Sequence, residues 1–226
     1  MKIKYLSHSC FLLTFDQINV LIDPFLTDNP LAPVRPSDLK NIDLVLVTHA
    51  HTDHINDAIA IALANDAQIV TSYDLAVEIN KKEKAVKTVG MNIGGTYIYK
   101  DLRITQVHSF HVTSPGIATG FILRKDKISL YHPGDTGLFS DMELFAKIFK
   151  INIAMIPIGD FYTMGIPEAV EAVKLIKPKI AIPMHYNTFP VIEADPYVFK
   201  RIVEEETDTT VLVMKPGEEK EIEIEV

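Results

Sequence analysis

One cysteine, Cys10, stands in 226 residues, so no internal disulfide can form. A reducing, cytoplasmic home is the expectation. Long apolar runs are missing too. No stretch approaches the roughly 20 residues that cross a bilayer, so no membrane partner is expected. The N-terminal MKIKYLSHSCFLLTF alternates polar and apolar residues with no small-residue cleavage site after it, which is unlike a signal peptide. Positive charge is in deficit: 22 Lys and Arg against 30 Asp and Glu, a net charge of −8. Chains that grip phosphate backbones show the reverse balance, so long nucleic acid is not an expected partner. A small-molecule substrate fits better, a phosphorylated one included, because metal ions can supply local positive charge. Short repeats, low-complexity tracts and composition shifts are also lacking. The expectation is a single domain over 1–226, with a homo-oligomer open.

What is present is ordinary for a globular protein: 47% hydrophobic and 23% charged residues. Short, often β-branched runs recur: IKYL and FLLTF near the start, NVLID (19–23), DLVLV (43–47), QIVTS (68–72), LRITQV (102–107), TGFILR (119–124), KISLY (127–131), NIAMIPI (152–158), KIAIPM (179–184) and TTVLVM (209–214). Gly, Pro, Asn and Asp separate them, as strands require. Helical periodicity fills several gaps. Asn56 can cap NDAIAIALAND; residues 73–82, 141–150 and 196–206 read as helices; Pro167 suits the first turn of PEAVEAVKLIK, which Pro178 stops. In 141–150, Met142, Phe145, Ile148 and Phe149 share helical spacing. The alternation predicts an α/β fold, sheets packed together with helices outside. The proline-rich 24–38 segment reads as a long ordered loop of the functional kind.

Residues 48–54 read THAHTDH, directly behind the apolar DLVLV. His49, His51, Asp53 and His54 cannot share one helix face at that spacing. A loop leaving a strand end can fold them inward, and imidazole with carboxylate suits zinc and similar divalent metals. Four such groups could fill one site or split between two. The other histidines are His8, His108, His111, His132 and His185. His108 and His185 each follow an apolar strand, and Asp135 follows another in YHPGDTG. Polar residues presented at the ends of different strands are how a site is built on a rigid scaffold.

THAHTDH, a later His, GDT and a late His together resemble the metallo-β-lactamase superfamily. LIDP (21–24), PIGDFYTMG (157–165) and PMHYNTFP (183–190) resemble, more narrowly, small uncharacterised metal-dependent hydrolases related to the L-ascorbate-6-phosphate lactonases. The resemblance implies a four-layer αββα sandwich and two divalent metal ions. Zinc is the first expectation; manganese, iron, cobalt and nickel suit the same ligands. By motif position, His49, His51 and His108 would hold one metal, Asp53, His54 and His185 the other, and Asp135 would bridge them. Asp23 would orient a ligand histidine. His8 would act in substrate binding or proton transfer, and Asp53 and Asp135 would orient a metal-bridging hydroxide for hydrolysis of an ester, lactone, amide or phosphodiester bond. Relatives carry His-Ser-Ser where this chain has His108-Ser109-Phe110-His111, so either His108 or His111 is the ligand. His111 and His132 are otherwise read as supporting residues. An iron-dependent oxidoreductase on the same fold, or a metal-binding protein without catalysis, are the competing readings.

Overall fold

Apolar strand segments bounded by turn residues assemble into two seven-stranded sheets. The computed structural model describes residues 1–224, and the chain divides into two compact units.

The first unit comprises Met1–Ile93, Val112–Thr119 and Lys215–Glu223. Its strands are β1 (Lys2–Tyr5), β2 (Phe11–Phe15), β3 (Ile18–Ile22), β4 (Leu44–Leu46), β5 (Gln68–Ser72) and β6 (Lys87–Met91). A late strand, β14 (Glu219–Glu221), joins the edge, giving the order β14-β1-β2-β3-β4-β5-β6. Pairing is antiparallel from β14 to β3 and parallel from β3 to β6. Three helices follow strands: α1 (Thr52–Ile55), α2 (Ala58–Asn65) and α3 (Tyr73–Lys82). Ile61 and Ala62 of α2 and Leu75 and Ile79 of α3 bury against Leu21, Val45 and Ile69 of the sheet. Cys10 lies in the same cluster as a fully buried apolar group, and burial drives its thiol pKa far upward.

The second unit comprises Gly94–His111 and Gly120–Met214. Its strands are β7 (Thr96–Tyr99), β8 (Leu102–His108), β9 (Thr119–Lys125), β10 (Ile128–His132), β11 (Ile153–Pro157), β12 (Ile180–Met184) and β13 (Thr210–Val211), in the order β13-β12-β11-β10-β9-β8-β7. Pairing is parallel from β10 to β13 and antiparallel at β9–β10 and β7–β8. Helices α4 (Asp141–Phe149), α5 (Ile166–Ile176) and α6 (Pro196–Glu206) bury Met142, Phe145, Val170, Val173, Phe199 and Val203 against Ile122, Tyr131, Ala154 and Ile156.

Two mixed sheets flanked by helices realise the expected α/β class. The helices at 73–82 and 196–206 have the expected bounds. Two details differ. Asn56 does not cap α2: its amide reaches the Thr27 carbonyl, and the helix starts at Ala58. Asp57 stands before that helix, but its carboxylate accepts from the Leu26 and Thr27 amides at 2.7 and 2.9 Å and from the Thr27 hydroxyl at 2.6 Å. Those bonds pin the start of the 24–38 loop. Ile148, placed on the apolar face of 141–150 by spacing, is 58% exposed because α4 turns that position outward.

Among the described residues no helix is long and apolar enough to cross a membrane. The parallel strands matter for function: in each unit their carboxyl ends share one edge, the usual place for ligand sites in such sheets.

Candidate metal centre

In the first unit the chain leaves β4 at Val47 and immediately becomes polar. THAHTDH does not behave as one loop. Residues 49–51 bend, His51 itself having extended backbone angles, and Thr52–Ile55 then close the single turn of α1, which carries Asp53 and His54. Asp23 anchors the segment from the end of β3. It is fully buried, with a left-handed φ of 44°, a conformation Asp tolerates better than most residues. Its Oδ1 accepts the Thr48 amide at 2.8 Å, and its Oδ2 accepts the Thr48 hydroxyl at 2.7 Å and His54 Nδ1 at 2.8 Å.

Counting protons along this chain fixes two histidine tautomers. A carboxylate has no proton to give, so His54 Nδ1 donates to Asp23, and Nε2 keeps the lone pair. The Thr48 hydroxyl spends its one proton on Asp23. Its 2.9 Å contact with His49 Nδ1 must then be donated by the histidine, which leaves the lone pair of His49 on Nε2 as well. One buried carboxylate thus orients His54 directly and His49 through Thr48. His49 Nε2 lies 3.0 Å from His51 Nδ1, near the roughly 3.3 Å between two nitrogens bound to one tetrahedral zinc. His8 is fully buried, and its Nε2 lies 3.2 Å from Asp53 Oδ2. One ligand-capable atom each from His8, Asp53 and His54 lie within 4.8 Å of one another.

In the second unit Asp135 follows β10 through His132-Pro133-Gly134. Gly134 has a φ of 64°, and its amide donates to His132 Nδ1 at 3.1 Å, so His132 braces the turn, as its supporting role requires. A side chain at Gly120 of β9 would strike the His132 carbonyl at 2.7 Å; glycine lets this turn approach. His185 follows β12 with a φ of 54° and no exposure. A Cβ at Gly159 would overlap the His185 carbonyl oxygen, so that glycine is obligatory for the position of His185. Asp135 Oδ2 lies 3.1 Å from His185 Nε2 and 3.7 Å from His111 Nε2.

His108 goes elsewhere. Its Nε2 lies 3.5 Å from Asp141, and its ring packs on Phe139 and Phe145 at 4.9 and 5.2 Å. The Phe110 amide donates to Thr136 Oγ1 at 3.0 Å, and Gly137 returns a 3.0 Å bond to the Phe110 carbonyl. That clamp carries the chain past His108 and delivers His111 to Asp135. Of the alternatives the sequence left open, the geometry brings His111 to the carboxylate and leaves His108 with the aromatic cluster. Thr48, Thr136, Gly120 and Gly159 were not legible as site residues, since each reads as an ordinary strand or turn residue.

These donors are all imidazole nitrogens and carboxylate oxygens, a set that fits zinc, manganese, iron, cobalt or nickel. Fold and donor set together define a metallohydrolase of the β-lactamase type. The chain belongs to that superfamily: residues 2–185 match the beta-lactamase superfamily domain. It is 48% identical over 225 residues to a UPF0173 metal-dependent hydrolase of Pyrococcus horikoshii, covering 97% of this chain and 98% of that one. It is 44% identical over 229 residues to one from Archaeoglobus fulgidus, covering 96% and 97%. The solved structure of a metallo hydrolase from Ignicoccus hospitalis superposes with a TM-score of 0.94 at 38% identity, covering 99% of each chain. The protein is a metal-dependent hydrolase of the metallo-β-lactamase superfamily.

Proposed function

We propose that the protein hydrolyses an ester, lactone, amide or phosphodiester bond of a small substrate with two divalent cations. His49, His51 and His111 would hold one, Asp53, His54 and His185 the other, and Asp135 would serve both. The assignment replaces His108 by His111 and otherwise keeps the ligand set expected from the motifs. The observation that carries it is the Asp23–Thr48 chain, which makes both His49 and His54 present Nε2 with its lone pair, the form a metal ligand needs.

Bound cations would supply Lewis acidity and lower the pKa of water toward neutrality. The chain's own residues do the rest. Asp53 and Asp135 hold fixed acceptor oxygens that orient an attacking water. His8 shares its Nε2 proton with Asp53 and can hydrogen-bond a substrate or leaving oxygen. No serine or cysteine nucleophile is needed, and Cys10 is buried with its thiol protonated. The net charge of −8 and the lack of basic runs favour a small substrate over a polymer of phosphates.

The test is turnover on a panel of esters, lactones, amides and phosphodiesters with each candidate metal in turn. Activity that is lost on chelation and restored by metal is the expected result. Stoichiometric iron with oxygen consumption and no hydrolysis would replace this reading by the redox one.

A further inference from the structure

A cavity of about 380 Å³ opens in the second unit where β9 turns into β10, walled on one side by the end of α4. Arg103, Arg124, Lys127, Ser129, Phe149 and Lys150 line it. Arg124 and Ser129 are directly paired across β9 and β10, so their side chains share one face. The guanidinium of Arg124 lies over the Phe149 ring, 4.9 Å from its centroid.

The polar groups here are unbalanced. Lys125 is matched by Asp101 and by Asp126, which also lines the cavity. Among the described residues no carboxylate pairs with Arg103, Arg124, Lys127 or Lys150. Arg124 Nη2 has only a long 3.4 Å bond to Thr105, and its Nε is buried without a partner. The Ser129 hydroxyl, on a residue only 6% exposed, is buried without a partner as well. A buried donor left unsatisfied is costly, and two on residues that line one cavity favour an occupant with acceptor oxygens. In a chain of net charge −8, four unmatched cations lining that cavity set the sign of the occupant. Burial and the neighbouring Arg103 charge lower the pKa of Arg124, the cost an anion would relieve.

We propose that this cavity binds a multiply charged phosphate anion, free or as a phosphate ester, with Arg103 and Arg124 as its fork and the Ser129 hydroxyl as a further donor. Guanidinium forks match phosphate oxygens in pairs, and four cations favour a charge of two or more over a monocarboxylate. The site is independent of the metal centre. Ser129 is the second residue of β10, and His132 ends it roughly 10 Å further along the strand.

The Arg124 Nε–H resonance reports on it directly. Metal-loaded protein is titrated at constant ionic strength with inorganic phosphate and, separately, with a nucleoside diphosphate. A saturable shift at millimolar concentrations is expected. Tighter binding of the nucleotide identifies an ester as the ligand, and tighter binding of inorganic phosphate a free anion. The R103Q/K127Q/K150Q variant alters only exposed positions and should fold, yet weaken binding at least about tenfold. S129A should weaken it less, and H49A should leave it unchanged. Absence of a saturable shift, full affinity in the triple variant, or loss of binding in H49A would each overturn the proposal, the last by placing the anion on the metal centre.

Discussion

Removing the Thr48 hydroxyl tests how far one buried carboxylate governs the metal ligands. Thr48→Val keeps the shape of the side chain and deletes two hydrogen bonds, the 2.7 Å donation to Asp23 and the 2.9 Å acceptance from His49 Nδ1. Asp23 retains the Thr48 amide and His54. A bond to a charged group is worth about 1.5–3 kcal/mol, so the unfolding free energy should fall by about that much. For a domain of this size that lowers Tm by about 2–4 °C for each kcal/mol. The larger effect falls on the metal. His49 loses the acceptor that fixes its tautomer and ring orientation, and such losses weaken metal binding about 10–100-fold. Competition against a chromophoric chelator reads that affinity, and nitrogen chemical shifts of the His49 ring in metal-free protein read the tautomer. Thr48→Ser should restore both. Affinity in Thr48→Val within about twofold of wild type would refute the relay. A serine variant as weak as the valine variant would show that the methyl group, not the hydroxyl, is responsible.

Other outcomes follow from the same geometry. His111→Ala should lose bound metal while His108→Ala keeps it, measured by elemental analysis; the reverse would return the ligand role to His108. Gly159→Ala should displace His185, because the added Cβ overlaps its carbonyl oxygen, and should lower both Tm and metal content. Cys10 should resist a disulfide reagent in the folded state at pH 8 and react fully on unfolding; rapid native modification would contradict its burial. Burial first, with the Asp23 and Asp57 charges, keeps its native thiol protonated where the unfolded chain, with its ordinary value of 9.0, releases the proton. Stability is therefore unaffected well below pH 9 and falls as pH rises past it, by about 1.4 kcal/mol per pH unit for this group, as denaturant titrations would show.

The strongest sequence signals were those with local causes. THAHTDH announced its chemistry by residue type, and α3 and α6 by periodicity and flanking turns. The edge strand β14 was invisible because its residues, Glu219 to Glu221, are all charged, the composition that protects an edge from pairing with another chain. β6 and β7 were also missed, since KTVGM and TYIY are short and their residue types carry no clear apolar–polar alternation. The choice between His108 and His111 was beyond sequence reasoning for a physical reason. It depends on the Thr136 hydroxyl, distant in the chain, clamping Phe110. Left-handed φ values at His8, Asp23 and His185 were equally hidden, although they aim three polar side chains at the ends of their segments. Thr48 read as one more β-branched residue behind a strand; only its bond distances give it a role.

Metal stoichiometry across the wild type, His49→Ala and Asp135→Ala is the most direct test of the central claim. Elemental analysis after exhaustive dialysis should find two divalent cations per wild-type chain and a clear loss in each variant. Unchanged metal content in both variants would contradict the account.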